Sequence, residues 1–150
     1  MGNVLVKIRK ATIRDCRDIF RWRNDPETRI YSFHSSLISW EKHLGWYRNA
    51  LQGKKKILYI GEDKNGSKIG VIRFDKINSR VHEVNIHIPP EKRGKGLGGM
   101  FLREASKLIK GRIIAKIKAE NLISIRIFLK SGYKKIREKD SIVEMEYISY

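Results

Sequence analysis

The chain has 150 residues, of which 41% are hydrophobic and three are proline. This composition predicts one folded domain over residues 1–150 and excludes a multidomain or disordered chain. A net charge of +17 is spread along both halves and should attract nucleic acid, an anionic membrane surface or small phosphate-bearing molecules. The single cysteine, Cys16, excludes an internal disulfide and a CxxC pair. Since no long apolar run occurs, we expect a cytoplasmic protein without an export signal or membrane span.

Hydrophobic periodicity predicts strands and helices along the whole chain. Asn65-Gly66 separates two alternating runs, a strong signal for a β-hairpin. Residues 26–38 lack periodicity and are expected to form a loop or one helical turn. The order predicts a mixed α/β sheet with helices on its faces. The expected elements are a strand at 4–10, helices at 12–24 and 39–53, strands at 57–62, 68–75 and 81–88, a helix at 97–110, a strand at 112–119, a helix at 122–131, and strands at 133–137 and 142–147.

The stretch from Val84 to Gly99 runs from a predicted strand through a glycine-rich turn into a predicted helix. Backbone N–H groups without neighbouring side chains, at the start of a helix, can close around a diphosphate. A Walker A motif does not fit, because a glycine follows the lysine where Ser or Thr is required. The alternative interpretation is a loop in which the same glycines only permit a tight turn and bind no ligand. We predict a pyrophosphate cradle formed by Arg93, Gly94, Lys95, Gly96, Leu97 and Gly98.

This segment resembles the R/Q-x-x-G-x-G/A signature of the GNAT family of N-acetyltransferases. Downstream, the sequence from Asn121 to Tyr133 resembles a second motif of that family, in which an asparagine precedes a short helix and a glycine–aromatic pair follows it. The resemblance implies a mixed, mostly antiparallel central sheet flanked by helices on both faces, with acetyl-CoA as cosubstrate. It places the cradle at the acetyl-CoA diphosphate, the strand carrying Ile86 and Ile88 beside the pantetheine arm, and Asn121, Phe128 and Lys130 next to that arm and the 3′-phosphate.

Phe128 departs from the family pattern. Many members carry a tyrosine there, whose hydroxyl protonates the departing CoA thiolate, and phenylalanine cannot donate a proton. Because a thiol has a pKa of about 8.5, solvent or another hydroxyl could protonate the thiolate. Tyr31, Tyr47 and Tyr133 are the candidates. It is equally open that no acid is used.

Acetyl transfer also needs a group that takes a proton from the amine. On the strand at 81–88, Glu83, Asn85 and His87 face one way. Glu83 could take the proton directly or through water, and His87, with an unperturbed pKa of about 6.5, is the rival. The alternative is that neither residue is catalytic, because an ordinary strand with one polar face shows the same alternation. No metal is expected, because the sequence shows no cluster of ligands at suitable spacing.

Residues 15–52 are expected to select the amine, because the family builds its acceptor cleft largely from the first two helices and the loop between them. The sequence of this segment resembles that of acetyltransferases that modify UDP-linked 4-amino sugars, as in the pseudaminic acid pathway. Relatives that acetylate protein N-termini or polyamines share it and remain alternatives. Charge favours the nucleotide sugar, because a strongly basic protein repels a polycation, whereas arginines hold a diphosphate well. The expected acceptor contacts are Trp22, Arg23, Arg29 and His34.

The positive charge leaves open a second class of function, a nucleic-acid-binding module. Against that class, the chain has no helix-turn-helix pattern, zinc spacing or clustered basic arm. We therefore predict a monomeric or homodimeric N-acetyltransferase in which a small-molecule amine attacks acetyl-CoA directly while both are bound. Neither nucleic acid nor a membrane is expected as a partner.

Overall fold

The computed structural model describes residues 6–149, and within them seven strands form one sheet that carries five α-helices. The predicted strand residues Val4 and Leu5 lie outside this range. No helix in the described range is long and apolar enough to span a membrane. The elements are β1 (Lys7–Lys10), α1 (Cys16–Arg23), α2 (Pro26–Tyr31), α3 (Trp40–Gln52), β2 (Lys56–Glu62), β3 (Lys68–Asn78), β4 (Val81–His87), α4 (Leu97–Ser106), β5 (Gly111–Lys118), α5 (Leu122–Lys130), β6 (Lys134–Lys139) and β7 (Ile142–Ser149).

Neighbouring strands of the sheet are antiparallel except at one place in the middle. The order across the sheet is β1-β2-β3-β4-β5-β7-β6, and the parallel pair is β4 with β5. α1 and α3 pack on one face, and α4 and α5 pack on the other. The predicted mixed, mostly antiparallel sheet with helices on both faces is confirmed.

Alternation along the strands sends side chains into two hydrophobic cores. On β3, Ile72 and Phe74 are fully buried on the side of α4, whereas Val71 packs on the side of α1 and α3. Arg73 shares the face of Val71. A charged group therefore lies within the apolar run Ile69–Phe74 of this strand, beneath the first helices.

Hydrogen bonds account for two of the predicted boundaries. The Ser39 hydroxyl accepts the N–H of Lys42 at 3.3 Å and caps α3 where the sequence predicts a helix start. In the predicted hairpin turn, Gly66 adopts a φ of +80°, and the Asp63 side chain accepts two backbone N–H groups of the turn. Both features come from residues close in sequence.

Two local expectations differ from the structure. Pro26–Tyr31 is a short helix because Asp25 caps it and proline suits the first helical turn. The helix predicted to reach residue 110 ends at Ser106. After Ser106, the backbone N–H groups of Leu108 and Ile109 donate to the carbonyls three residues earlier, as in a 3₁₀ turn. As a result, Ile109 is buried, whereas Leu108 is 54% exposed.

A buried carboxylate ties the start of α1 to the sheet. Asp15 is 1% exposed and accepts two hydrogen bonds of 2.8 Å from Arg9 of β1, with an ion pair of 2.7 Å to Lys68 of β3. Burial alone would raise the pKa of this carboxyl, but the hydrogen bonds from Arg9 and Lys68 hold it well below its usual range. The network fixes α1, and with it Arg23 at the other end of the helix.

Candidate active site

β4 and β5 pair over only the first part of their length. Their register runs from Val81 and Arg112 to Glu83 and Ile114 and stops there. β5 pairs with β7 along its whole length, so Val84–His87 separate from it and an opening forms in the sheet. Within the described residues, the backbone of β4 on this side has no strand partner. It can therefore pair with an extended ligand.

The glycine-rich segment follows the free end of β4. Gly94 and Gly96 are exposed, with φ of +78° and +77°, and a Cβ at either position would meet no atom within 4 Å. α4 has no side-chain cap, and the N–H groups of Leu97 and Gly98 find no backbone acceptor within residues 6–149. A helix start with unpaired N–H groups and open space in front of it fits an anionic diphosphate.

Two contacts hold this cradle against β4 and α2. A Cβ on the buried Gly98 would lie 3.4 Å from Ile88, so α4 begins close to the end of the strand. Ile86 and Ile88 are partly buried against the same core. Arg93 is engaged within the chain, so the groups left to contact an anion here are the backbone N–H groups and the exposed Lys95. The Arg93 guanidinium donates a hydrogen bond of 2.8 Å to the Ile88 carbonyl. It donates further hydrogen bonds to three side chains at the start of α2, those of Asp25, Glu27 and Thr28.

α5 lies beside the cradle. Asn121 caps this helix by accepting the N–H of Ser124 at 3.2 Å. At the other end of α5, the Ser131 hydroxyl donates 3.1 Å to the carbonyl of Gly99 in the first turn of α4. Lys130 is exposed next to Ser131. The two motifs, distant in sequence, thus meet in the fold.

Phe128 lies in the core rather than on the surface of α5. Its ring is 2% exposed and packs edge to face on Tyr133, with ring centroids 4.9 Å apart. The hydroxyls of Tyr47 and Tyr133 are hydrogen-bonded inside the fold, and burial raises the pKa of both. Tyr31 is partly exposed, and its hydroxyl makes no hydrogen bond in the described part of the chain. Among the three candidate acids, Tyr31 has the most accessible hydroxyl.

On the face covered by α1 and α3, polar side chains of β3 and β4 form rows across the sheet. The register places Arg73 opposite Asn85 and Asp75 opposite Glu83. Lys56 of β2 pairs with Asp75 at 3.2 Å. Glu83 is the last residue of β4 that pairs with β5, so it lies at the inner end of the opening.

A narrow crevice lies between α1, α3 and this face of the sheet. The guanidinium carbons of Arg23 and Arg73 lie 4.5 and 5.3 Å from the centre of the Trp46 ring. Asn85 and His87 of β4 line the same crevice. Guanidinium, amide and imidazole groups therefore converge near the opening between β4 and β5.

Positive charge surrounds His87. Burial, and then the charges of Arg73, Arg23 and Arg93, lower the pKa of this imidazole to about 3. Its Nδ1 is buried and has no hydrogen-bond partner among the described residues. The ring is neutral at physiological pH, since a proton on it would add a charge beside three guanidinium groups.

The four predicted acceptor contacts do not all meet. Arg23 lines the crevice with His87. Trp22 is 4% exposed and belongs to the core beneath α1. Arg29 donates to two backbone carbonyls of its own segment, and His34 is exposed on the loop after α2. Of the four, Arg23 is placed to contact a ligand in the crevice.

Arg73 was not anticipated as a site residue. The sequence does contain a signal for Arg73, because it is a charged residue inside the apolar run Ile69–Phe74. Alternation along β3 places its side chain on the same face as that of Asn85, its partner on β4. Nowhere in residues 6–149 do three His, Cys, Asp or Glu side chains group closely enough to hold a metal ion.

Comparisons with known proteins agree with this arrangement. The family model described as acetyltransferase (GNAT) domain matches residues 6–134. A Bacillus subtilis protein assigned as a phosphinothricin acetyltransferase is 26% identical over 149 residues, covering 93% of this chain and 90% of that protein. A spermidine N(1)-acetyltransferase from Thermoplasma acidophilum is 26% identical over 161 residues, covering 96% of this chain and 99% of that protein.

A solved structure shows the same fold. Spermidine N-acetyltransferase from Vibrio cholerae, in complex with CoA and spermine, superimposes with a TM-score of 0.85 at 19% identity and covers 96% of this chain and 95% of that one. The family model spans most of the chain, from β1 to the start of β6. The chain therefore belongs to the GNAT family and is an acetyl-CoA-dependent N-acetyltransferase.

Proposed function

We propose that the chain moves an acetyl group from acetyl-CoA to the primary amine of a small molecule, by direct attack while both substrates are bound. The observation that carries this proposal is the opening between β4 and β5, with the glycine cradle after its free end and Glu83 at its inner end. Bound acetyl-CoA supplies the acetyl group as a thioester. The cradle holds the diphosphate, and β4 pairs with the pantetheine arm and orients the thioester toward the face of α1 and α3.

Glu83 is the proposed proton acceptor, and His87 is the weaker candidate. A proton on His87 would be repelled by three guanidinium groups, as its pKa of about 3 reflects. A carboxylate at Glu83 attracts the positively charged amine and becomes neutral when it takes the proton, directly or through water. Placed where the paired part of β4 ends, Glu83 is close to the path of the thioester.

The acceptor is proposed to be a polyamine or an amine of amino-acid type, without a linked nucleotide. The similar proteins are named for spermidine and phosphinothricin, and none of them for a UDP-linked sugar. The polyamine alternative thus has better support than the nucleotide-sugar interpretation of residues 15–52. Membership of an enzyme family also favours acetyl transfer over nucleic-acid binding as the main function.

The test is mass spectrometry of acetylated products in a mixture of spermidine, phosphinothricin and a UDP-4-amino-4,6-dideoxy sugar with acetyl-CoA. Glu83→Gln should lower kcat by about 100-fold or more and remove the acidic limb of the pH profile, with acetyl-CoA affinity unchanged. Glu104→Gln, at an exposed position on α4, is the matched control and should behave as wild type. An unchanged pH profile in Glu83→Gln would remove Glu83 from this role. Acetylation of the UDP sugar alone would restore the nucleotide-sugar interpretation.

A further inference from the structure

Two arginines converge on one tryptophan in the crevice. Arg23 reaches the Trp46 ring from α1, and Arg73 reaches it from β3, with guanidinium carbons 4.5 and 5.3 Å from the ring centre. Both side chains are partly buried. The two guanidinium groups beside one ring carry like charges and repel each other.

The chain balances the positive charge of this pair only in part. Arg73 bonds Asp75 at 2.9 Å, but Asp75 also pairs with Lys56. Within residues 6–149, Arg23 has no carboxylate within 4 Å. Burial, and then the charge of Arg73, lower the pKa of Arg23. A desolvated cation without an anion is costly, so the crevice favours the entry of a negative group.

His43 holds Arg23 in a fixed position. This imidazole is fully buried, its Nδ1 lies 3.2 Å from a nitrogen of Arg23, and its Nε2 lies 3.0 Å from the Cys16 carbonyl. A neutral ring with the proton on Nε2 satisfies both contacts, donating to Cys16 and accepting from Arg23. In the described part of the chain this is the only hydrogen bond of the Arg23 guanidinium, so most of its donors remain available.

The other side of the crevice supplies unpaired polar groups. Asn85 lies opposite Arg73 in the register, and His87 follows two residues later on the same face. The His87 Nδ1 is buried without a partner in residues 6–149. A bound acidic group would provide acceptors for the donors that converge here.

We propose that the crevice lined by Arg23, Trp46, Arg73, Asn85 and His87 binds an acidic group of the acceptor, a carboxylate, phosphinate or phosphate. This inference rests on the proposed function and chooses between the two kinds of acceptor for which the similar proteins are named: an amine that also carries an acid is favoured over a polyamine. Asn85 is two residues from Glu83, about 7 Å along the strand. The acid and the reacting amine are therefore separated by a few bonds, as in a molecule of amino-acid size.

Kinetics with paired acceptors test the proposal. Phosphinothricin carries a carboxylate and a phosphinate, O-phosphoethanolamine carries a phosphate alone, and ethanolamine and spermidine carry no acid. Wild type should acetylate at least one acidic acceptor with a lower KM than either amine without an acid, and the two acidic probes distinguish a carboxylate or phosphinate from a phosphate. Arg23→Gln and Arg73→Gln should each raise that KM about tenfold or more, with acetyl-CoA affinity unchanged. Arg21→Gln, exposed on the same helix, is the control.

Fluorescence of Trp46 gives a readout that does not depend on turnover. Titration of inorganic phosphate and of phosphinothricin should change the emission of wild type saturably, and the change should be absent in Trp46→Phe and weaker in Arg23→Gln. The absence of a saturable change in wild type would overturn the subsite. So would a lower KM for spermidine that Arg23→Gln leaves unaffected. Failure of wild type to bind acetyl-CoA or to acetylate any acceptor would instead contradict the proposed function, and the fluorescence titration would still decide on the subsite.

Discussion

Replacing Gly96 with alanine should weaken acetyl-CoA binding far more than it weakens the fold. Gly96 has a φ of +77°, and a Cβ there would meet no atom within 4 Å. The cost to the folded chain is therefore backbone strain without a clash, about 1–2 kcal/mol for a left-handed alanine. For a chain of this size, that cost lowers Tm by about 2–8 °C.

The chain contains a matched control in Gly66. Its φ is +80°, and a Cβ there also meets nothing within 4 Å, but it lies in the turn between β2 and β3. Gly66→Ala should thus cost the fold as much as Gly96→Ala. Only at Gly96 does the added methyl group occupy the space in front of the α4 N–H groups, where a phosphate must approach. We expect at least a tenfold loss of acetyl-CoA affinity, or about 1.4 kcal/mol, for Gly96→Ala alone.

Thermal unfolding with and without acetyl-CoA separates the two effects. At a concentration of about 100 times Kd, the ligand stabilises wild type by about 2.7 kcal/mol. Gly66→Ala should keep the full ligand-induced rise in Tm, and Gly96→Ala should lose about half of it or more, with calorimetry giving the two Kd values. Equal ligand-induced shifts in the two variants would refute the assignment of the diphosphate to this cradle.

Three further predictions follow from buried groups. Since the pKa of His87 falls from 6.5 to about 3 on folding, only the unfolded chain gains a proton between these values. The free energy of unfolding should then fall as pH drops from 6.5 toward 3, by at most about 1.4 kcal/mol per pH unit. Urea titrations at a series of pH values should show that this free energy depends less steeply on pH in His87→Gln than in wild type. An equally steep dependence in both proteins would contradict the shift. Asp15→Asn should lower the free energy of unfolding by about 3 kcal/mol, because Arg9 and Lys68 lose their buried carboxylate, and a loss below about 1 kcal/mol in the same assay would mean that the network is weak. Phe128→Tyr should lower stability by about 1–3 kcal/mol without raising kcat, because its hydroxyl enters the core; a higher kcat would mean that the hydroxyl reaches the thiolate.

Local patterns were enough to predict the order of the strands and of the longer helices, and to single out the glycine-rich segment before α4. The Asn65-Gly66 turn, the Ser39 cap and the glycine spacing at 94–98 depend on residues a few positions apart, so the information for each lies within its own segment. The alternation on β4 likewise placed Glu83, Asn85 and His87 on one face. Local signals failed where burial decided, as at the end of α4, where Ile109 turns back into the core.

Contacts between distant segments decided the chemistry of the site. Nothing near Arg93 in the sequence indicates that α2 occupies its guanidinium, and nothing near Arg23 indicates that it meets Arg73 at Trp46. The charge around His87 is a sum over three arginines that lie on different parts of the chain. Periodicity and glycine spacing thus predicted a mixed sheet, a glycine-rich helix start and a strand with a polar face. Tertiary structure determined which charges are neutralised and which remain for a ligand, because electrostatic energy depends on distances in space and on burial rather than on separation in sequence.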